Sequence, residues 1–262
     1  MKKRRRFPEE AAPCARRGRR RRRIMLALIE RRGKTESCRA AEKRVCGVRF
    51  FAVGIREGNG LRARLSICAA ARTLRSRGLT RAVFPDGFAE YGRFARCGVY
   101  PVETRPLREA AAAEIVRRAM VQRGLSPERT TVALCAAQVT RAYAAAAEAL
   151  AREVRYVLLC TERGGWELSR KLCRTLGAAA PAEPSCAQAE GADILLRFDE
   201  WGDVSAARGL VLPLYDPAMR VEYADDRVGA AGAQTEQLLA ALYAALALRA
   251  EDIRVRVVEP PG

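Results

Sequence analysis

Histidine occurs nowhere in the 262 residues of this chain. Its absence excludes Ser-His-Asp and Cys-His nucleophile pairs, histidine-ligated metals and any imidazole acid–base step. Paired cysteine motifs are missing too. The nine cysteines stand singly at positions 14, 38, 46, 68, 97, 135, 160, 173 and 186, with no CxxC spacing among them. Neither a zinc ribbon nor a thioredoxin-type motif is therefore supported. Long apolar runs are also lacking. Residues 24–29 form a six-residue run closed by Glu30, Arg31 and Arg32, short of the roughly 7–15 residues of a secretory core. Residues 238–248 form an eleven-residue run, well below the roughly 18–20 that span a bilayer. The expectation is a cytoplasmic protein with no membrane partner, whose scattered cysteines are reduced thiols used mostly as small core hydrophobes. No internal repeat at a solenoid period is present.

Lysine is scarce, at five residues against 43 arginines, and the net charge of +18 is unevenly placed. Residues 1–45 carry +13 of it. Within that stretch residues 2–6 and 16–23 are charge runs without apolar periodicity, which predicts a disordered arm. Arg16, Arg17, Arg19, Arg20, Arg21, Arg22 and Arg23 would neutralise phosphates and associate with nucleic acid without sequence preference. A coding bias toward arginine and alanine, or a start at Met25 rather than Met1, accounts for the same run without any ligand.

From residue 46 apolar runs of about five residues alternate with helical stretches, the pattern of parallel strands buried on both faces. Strands are predicted over 48–55, 82–84 and 99–102, with helices over 61–77, 88–96 and 106–124. Leu61, Leu65, Cys68, Ala69 and Leu74 approximate one apolar face of the first helix. Residues 124–127 read as a helix stop and linker. A βαβαβ succession follows, with strands at 130–135, 155–160 and 192–198 and helices at 139–153 and 166–176. A fourth strand at 209–214, a helix at 234–247 and an edge strand at 253–258 complete the chain.

The strand, helix and second strand with its polar tip Thr161-Glu162-Arg163 resemble the cofactor-binding half of shikimate dehydrogenase or glutamyl-tRNA reductase, over residues 129–200. The resemblance implies a Rossmann-like NAD(P)-binding fold, with Arg163 matching the arginine that meets an adenosine phosphate. The first turn departs from that pattern. It reads Cys135-Ala136-Ala137-Gln138-Val139-Thr140, and no glycine occurs between Gly124 and Gly164. Glycine there is what lets backbone approach a pyrophosphate. A second candidate lies upstream, where Gly58-Asn59-Gly60-Leu61-Arg62-Ala63 fits G-x-G-x-x-[GA] and Asp86 follows the next strand. Arg56 and Glu57 intervene before those glycines, and Asp86 belongs to a Pro-Asp-Gly turn that needs no ligand.

Cys135 and Arg141 also spell C-x5-R, as in a phosphatase loop, yet Cys14 with Arg20 and Cys38 with Arg44 match as well. In an arginine-rich chain such matches arise from composition. Cys135 and Cys160 close strands, where a thiol is either a packed apolar residue or a reactive helix-start group. Asp199, Glu200 and Asp216 fall at strand ends, the edge at which parallel sheets bind ligands.

The expected architecture is three-layer and Rossmann-like with a mostly parallel sheet. Two sequential α/β units, 46–126 and 127–262, follow a disordered basic arm at 1–45. The expected function is a non-catalytic or vestigial binding module with a protein or small-molecule partner and no cofactor. The alternative is an NAD(P)- or nucleotide-dependent enzyme using Gly58, Gly60, Asp86 or Arg163, and a third reading is nucleic-acid association through the arm.

Overall fold

The computed structural model describes residues 26–33, 40–58, 60–224 and 233–261. The arginine run 16–23 lies outside them. The first sheet is built from β1 (Leu26–Arg32), β2 (Ala41–Val45), β3 (Val48–Arg56), β4 (Arg81–Val83) and β5 (Tyr100–Pro101), in the order β2-β3-β1-β4-β5. All neighbours are parallel except the β2–β3 hairpin. Its two-residue loop, Cys46 and Gly47, has φ values of +48° and +79°, the left-handed pair that matches strand twist in a tight hairpin. The exposed edge strand β2 carries Glu42, Lys43 and Arg44, charges that discourage pairing with another chain.

β1 corrects the expected boundary of the arm. Leu26, Ala27, Leu28 and Ile29 are 9%, 0%, 0% and 1% exposed in the middle of the sheet. These four apolar residues of the run suit a strand buried on both faces. α1 (Leu61–Ser76) follows β3, and α2 (Tyr91–Ala95) lies between β4 and β5. The inner face of α1 is also rotated from the expected one. Ala63, Ile67, Ala70, Ala71 and Leu74 are buried, while Leu61 and Leu65 stand out in solvent.

The stretch expected as one helix over 106–124 is two helices, α3 (Arg105–Ala110) and α4 (Ala112–Arg123), broken at Ala111. Gly124 ends α4 in the left-handed conformation, the usual glycine stop. The second sheet then contains β6 (Thr131–Gln138), β7 (Tyr156–Arg163), β8 (Ala182–Glu183), β9 (Ile194–Arg197) and β10 (Leu210–Pro213). Its order is β10-β9-β6-β7-β8, all parallel. Counted along the chain this is the 3-2-1-4-5 order of a Rossmann sheet.

α5 (Arg141–Leu150) and α6 (Gly165–Leu176) cross over on one face of that sheet, where Leu134, Leu159 and Leu196 join Tyr143, Leu150 and Leu172 in the main core. The opposite face is thinly covered. Among the described residues, Ala133, Cys135, Cys160 and Leu195 are covered there by Cys186 with the 3-10 turn at Ala187–Gly191 and by the loop carrying Trp201, Val204 and Ala207. The last elements are β11 (Arg220–Tyr223), α7 (Thr235–Ala244) and β12 (Val255–Glu259). β12, expected as an edge strand, pairs with β11 in a separate antiparallel ribbon.

The two units have separate sheets but one core. Leu28, Phe50 and Val83 of the first sheet, α3 and α4, and the helix side of the second sheet all belong to a single apolar cluster. α7 returns to the first sheet. Gln237 Oε1 accepts the buried Phe84 N–H at 2.9 Å, and the Gln234 N–H donates to Phe84 O at 2.9 Å. No described helix is long and apolar enough to cross a membrane.

Candidate functional site at the β6–β9 switch point

In a sheet of this order the ligand crevice lies where chain direction across the sheet reverses, beyond the carboxyl ends of the first and fourth strands. Here those strands are β6 and β9. β6 does not break into a phosphate turn after Cys135. It stays paired with β7 as far as Gln138 opposite Arg163, and the Val139 N–H donates to Arg163 O at 3.0 Å. Thr140 then caps α5, its Oγ1 accepting the Tyr143 N–H at 3.1 Å. The Tyr143 ring lies 5.2 Å from that of Phe198, and its hydroxyl donates to Leu134 O at 2.8 Å. Burial first, then nearby thiols and Asp199, push that phenol well above its ordinary pKa.

A carboxylate of the chain itself reaches into this edge. Asp199, two residues beyond β9, accepts the Ala137 N–H at 3.0 Å and the Trp201 N–H at 3.0 Å. The half-buried carboxylate thus sits on the turn amide that a dinucleotide pyrophosphate would approach. Arg197 turns onto the same loop, donating to the carbonyls of Trp201 at 3.3 Å and Gly202 at 3.1 Å. Its guanidinium lies 5.5 Å from the Tyr215 ring centre. The turn does not fit NAD(P): it has no glycine, its helix start is capped and one of its amides is taken.

The sequence candidates are scattered. Gly58 and Gly60 lie at the exposed carboxyl end of β3, and Asp86 lies beyond β4, with β1 standing between those strands. The fingerprint glycines and their acidic partner belong on neighbouring strands, so Gly58 and Asp86 are not brought together. Asp86 Oδ1 accepts the Gly87 N–H at 3.0 Å within its own turn. Arg163 is exposed at the end of β7, on the other sheet. Asp216 likewise serves its own turn, accepting the Ala218 N–H at 2.7 Å, and Glu200 is exposed. Cys135 and Cys160 are fully buried. Among the described residues no group of three His, Cys, Asp or Glu side chains is placed to hold a metal ion.

Arg108 was not singled out by sequence pattern. On α3 it is 4% exposed and forks onto Glu236 of α7, at 2.6 Å and 3.0 Å. It also donates to Asp216 O at 2.5 Å. Burial opposes its charge, but the bonds and charge of Glu236 outweigh that and raise its pKa. Arg105, one turn earlier, donates to Phe198 O at 2.9 Å. α3 is therefore tied to the end of β9 through Arg105, and to α7 and the turn after β10 through Arg108.

No family model and no curated protein matches the chain. Among solved structures it is similar to L-tryptophan dehydrogenase from Nostoc punctiforme, with 16% identity and a TM-score of 0.29, over 58% of this chain and 44% of that one. Aspartate transcarbamoylase from Trypanosoma cruzi matches 86% of this chain and 83% of its own, with 12% identity and a TM-score of 0.30. Shikimate 5-dehydrogenase from Listeria monocytogenes, in complex with shikimate and NAD, matches 74% and 73%, with 12% identity and a TM-score of 0.27. The chain spans less than half of the tryptophan dehydrogenase it matches. The fold assignment stands on strand order.

Proposed function

We propose that this chain is a non-catalytic binding module of Rossmann strand order, working in the cytoplasm, whose dinucleotide site is closed by its own carboxylate. The single observation that carries the reading is the hydrogen bond from Ala137 N–H to Asp199. A pyrophosphate at that turn would have to displace a charge of its own sign before gaining any amide. The Val139 N–H is held by Arg163 O and the Tyr143 N–H by the Thr140 cap, so two further amides of this segment are also engaged. The cytoplasmic setting is supported by seven described cysteines that are all free thiols, as in a reducing compartment. The module's partner is accordingly sought among macromolecules rather than cofactors.

The test is a titration of the full chain with NADPH, NADH and ATP up to millimolar concentration, followed by fluorescence and thermal shift. No saturable change is expected. Micromolar binding corresponds to about 8 kcal/mol and would raise the melting temperature, overturning the proposal.

The enzyme reading is favoured by one observation at a different place. α1 opens on Gly60 with no side-chain cap and no acidic residue in its first turn, leaving amides free for an anion. If any nucleotide binds, Gly60→Val should abolish it under that reading.

A further inference from the structure

Cys135 and Cys160 stand directly opposite each other on β6 and β7, on the sheet face that no α-helix covers among the described residues. Cys186 immediately precedes the 3-10 turn roofing that face, and it belongs to the same apolar cluster. Its Sγ donates to Trp201 O at 3.9 Å. Cys135, Cys160 and Cys186 all lie in this one buried cluster, and each of the other two thiols shifts the titration of Cys135. Gly202 makes room for this arrangement, since a Cβ there would lie 2.4 Å from Cys186 Sγ. Three thiols therefore converge beneath a roof of turn and loop, a kind of cover that opens locally more readily than a packed helix.

We propose that Cys186 and Cys135 are a redox pair that closes to a disulfide when a hydroperoxide reaches the cluster. The roles of the two sulfurs differ. The Cys135 hydrogen bond, followed by the Arg197 charge, holds the Cys186 thiol below its ordinary pKa against the opposing effect of burial. Hydrogen bonds with Cys160 and Cys186, and then burial, push Cys135 far above the thiol range. Cys186 is thus the attacking thiolate and Cys135 the resolving thiol. The Cys186 sulfur attacks one peroxide oxygen and the O–O bond breaks. Hydroxide leaves and takes up a proton as water, giving a sulfenic acid. The Cys135 sulfur then attacks the sulfenyl sulfur, and the departing hydroxide leaves as water with the Cys135 proton. Two thiols and one hydrogen peroxide give one disulfide and two waters.

Cys160 is the natural competitor, but its geometry is less apt. The two strand cysteines project side by side from adjacent strands, roughly perpendicular to the sheet, whereas Cys186 approaches Cys135 from the covering layer. The pair neighbours the Asp199 contact, since Cys186 bonds Trp201 O and the Trp201 N–H donates to Asp199, but its test reads a disulfide and does not depend on whether a nucleotide binds.

The test treats the folded full chain with hydrogen peroxide, blocks remaining thiols with iodoacetamide and maps tryptic peptides without reduction. Trypsin separates the three cysteines into peptides 130–141, 156–163 and 175–197. The expected product joins 130–141 to 175–197, with the pair's mass lowered by two hydrogen atoms. Cys186→Ser should abolish the cross-link, and Cys160→Ser should leave it. Recovery of Cys135 and Cys186 as alkylated thiols would overturn the proposal, as would a disulfide containing Cys160. Sulfinic acid at Cys186 without a cross-link would overturn it as well. Should a serine variant fail to fold, the wild-type map alone decides.

Discussion

The carboxylate of Asp199 accepts the backbone N–H of Ala137 at 3.0 Å, joining the loop beyond β9 to the end of β6 across the switch point of the second sheet. The same carboxylate accepts the Trp201 N–H. Asp199→Ala leaves two half-buried amides without their acceptor. A loss of about 1–3 kcal/mol in unfolding free energy is expected. Asp199→Asn keeps one carbonyl oxygen as acceptor and should lose less than the alanine variant. Urea denaturation of both variants checks this, and equal losses would mean that the contact contributes only through side-chain packing.

Gly202 and Gly209 offer a contrast in what glycine does. A Cβ on Gly209 would lie 2.1 Å from Ala192 O, a backbone atom held in place by the turn before β9. A Cβ on Gly202 would meet the Cys186 sulfur instead, and the residue has φ +78°. Gly209→Ala should therefore be the more damaging, since backbone cannot swing away as a side chain can. Gly202→Ala costs about 1–3 kcal/mol for overpacking, and Cys186→Ala in the same chain should restore part of it. The remainder is the cost of a left-handed backbone for an L-residue, about 1–2 kcal/mol. Thermal melts of the three variants read the order directly.

The pKa of Cys186 predicts how its alkylation depends on pH. The thiolate is the reactive form, and its folded-state pKa is held below the ordinary thiol value by the Cys135 hydrogen bond and Arg197. The rate of iodoacetamide labelling in peptide 175–197 should rise through a midpoint below that of an ordinary thiol. Arg197→Met removes one cause and should move the midpoint upward. A midpoint at or above the ordinary value in the wild-type protein would contradict the assignment.

Much of the second sheet was legible because its signals are local. The strand expected over 155–160 is β7 (Tyr156–Arg163), and the helix over 166–176 is α6 (Gly165–Leu176), closed by Gly177 at φ +66°. β1 was missed because its four buried residues sit beside charge that reads as part of the arm, and only pairing with β3 and β4 places it centrally. The face of α1 was misjudged for a related reason. Periodicity offered Leu61 and Leu65, whereas tertiary packing uses Ala63 and Ile67. The closure at Asp199 spans 62 residues and Arg108 to Glu236 spans 128. No local pattern announces pairs so distant, and one arginine among 43 carries no mark of burial.

Arg108 supplies the sharpest test of how the two units are held together. Its side chain is 5% exposed and that of Glu236 19%, so each is the other's main compensation for lost water. Removing either partner strands a charge. Arg108→Met or Glu236→Leu alone should cost about 3–5 kcal/mol. Replacing both removes the charges together and puts apolar groups beside the main core, in the regime where such swaps are often neutral. The Asp216 carbonyl still loses its donor, a residual of about 1–3 kcal/mol. The double variant should therefore be more stable than either single one, giving a large coupling in a double-mutant cycle. Additive losses in urea denaturation would show that α3 and α7 are held by their apolar contacts, with the ion pair merely accommodated between them.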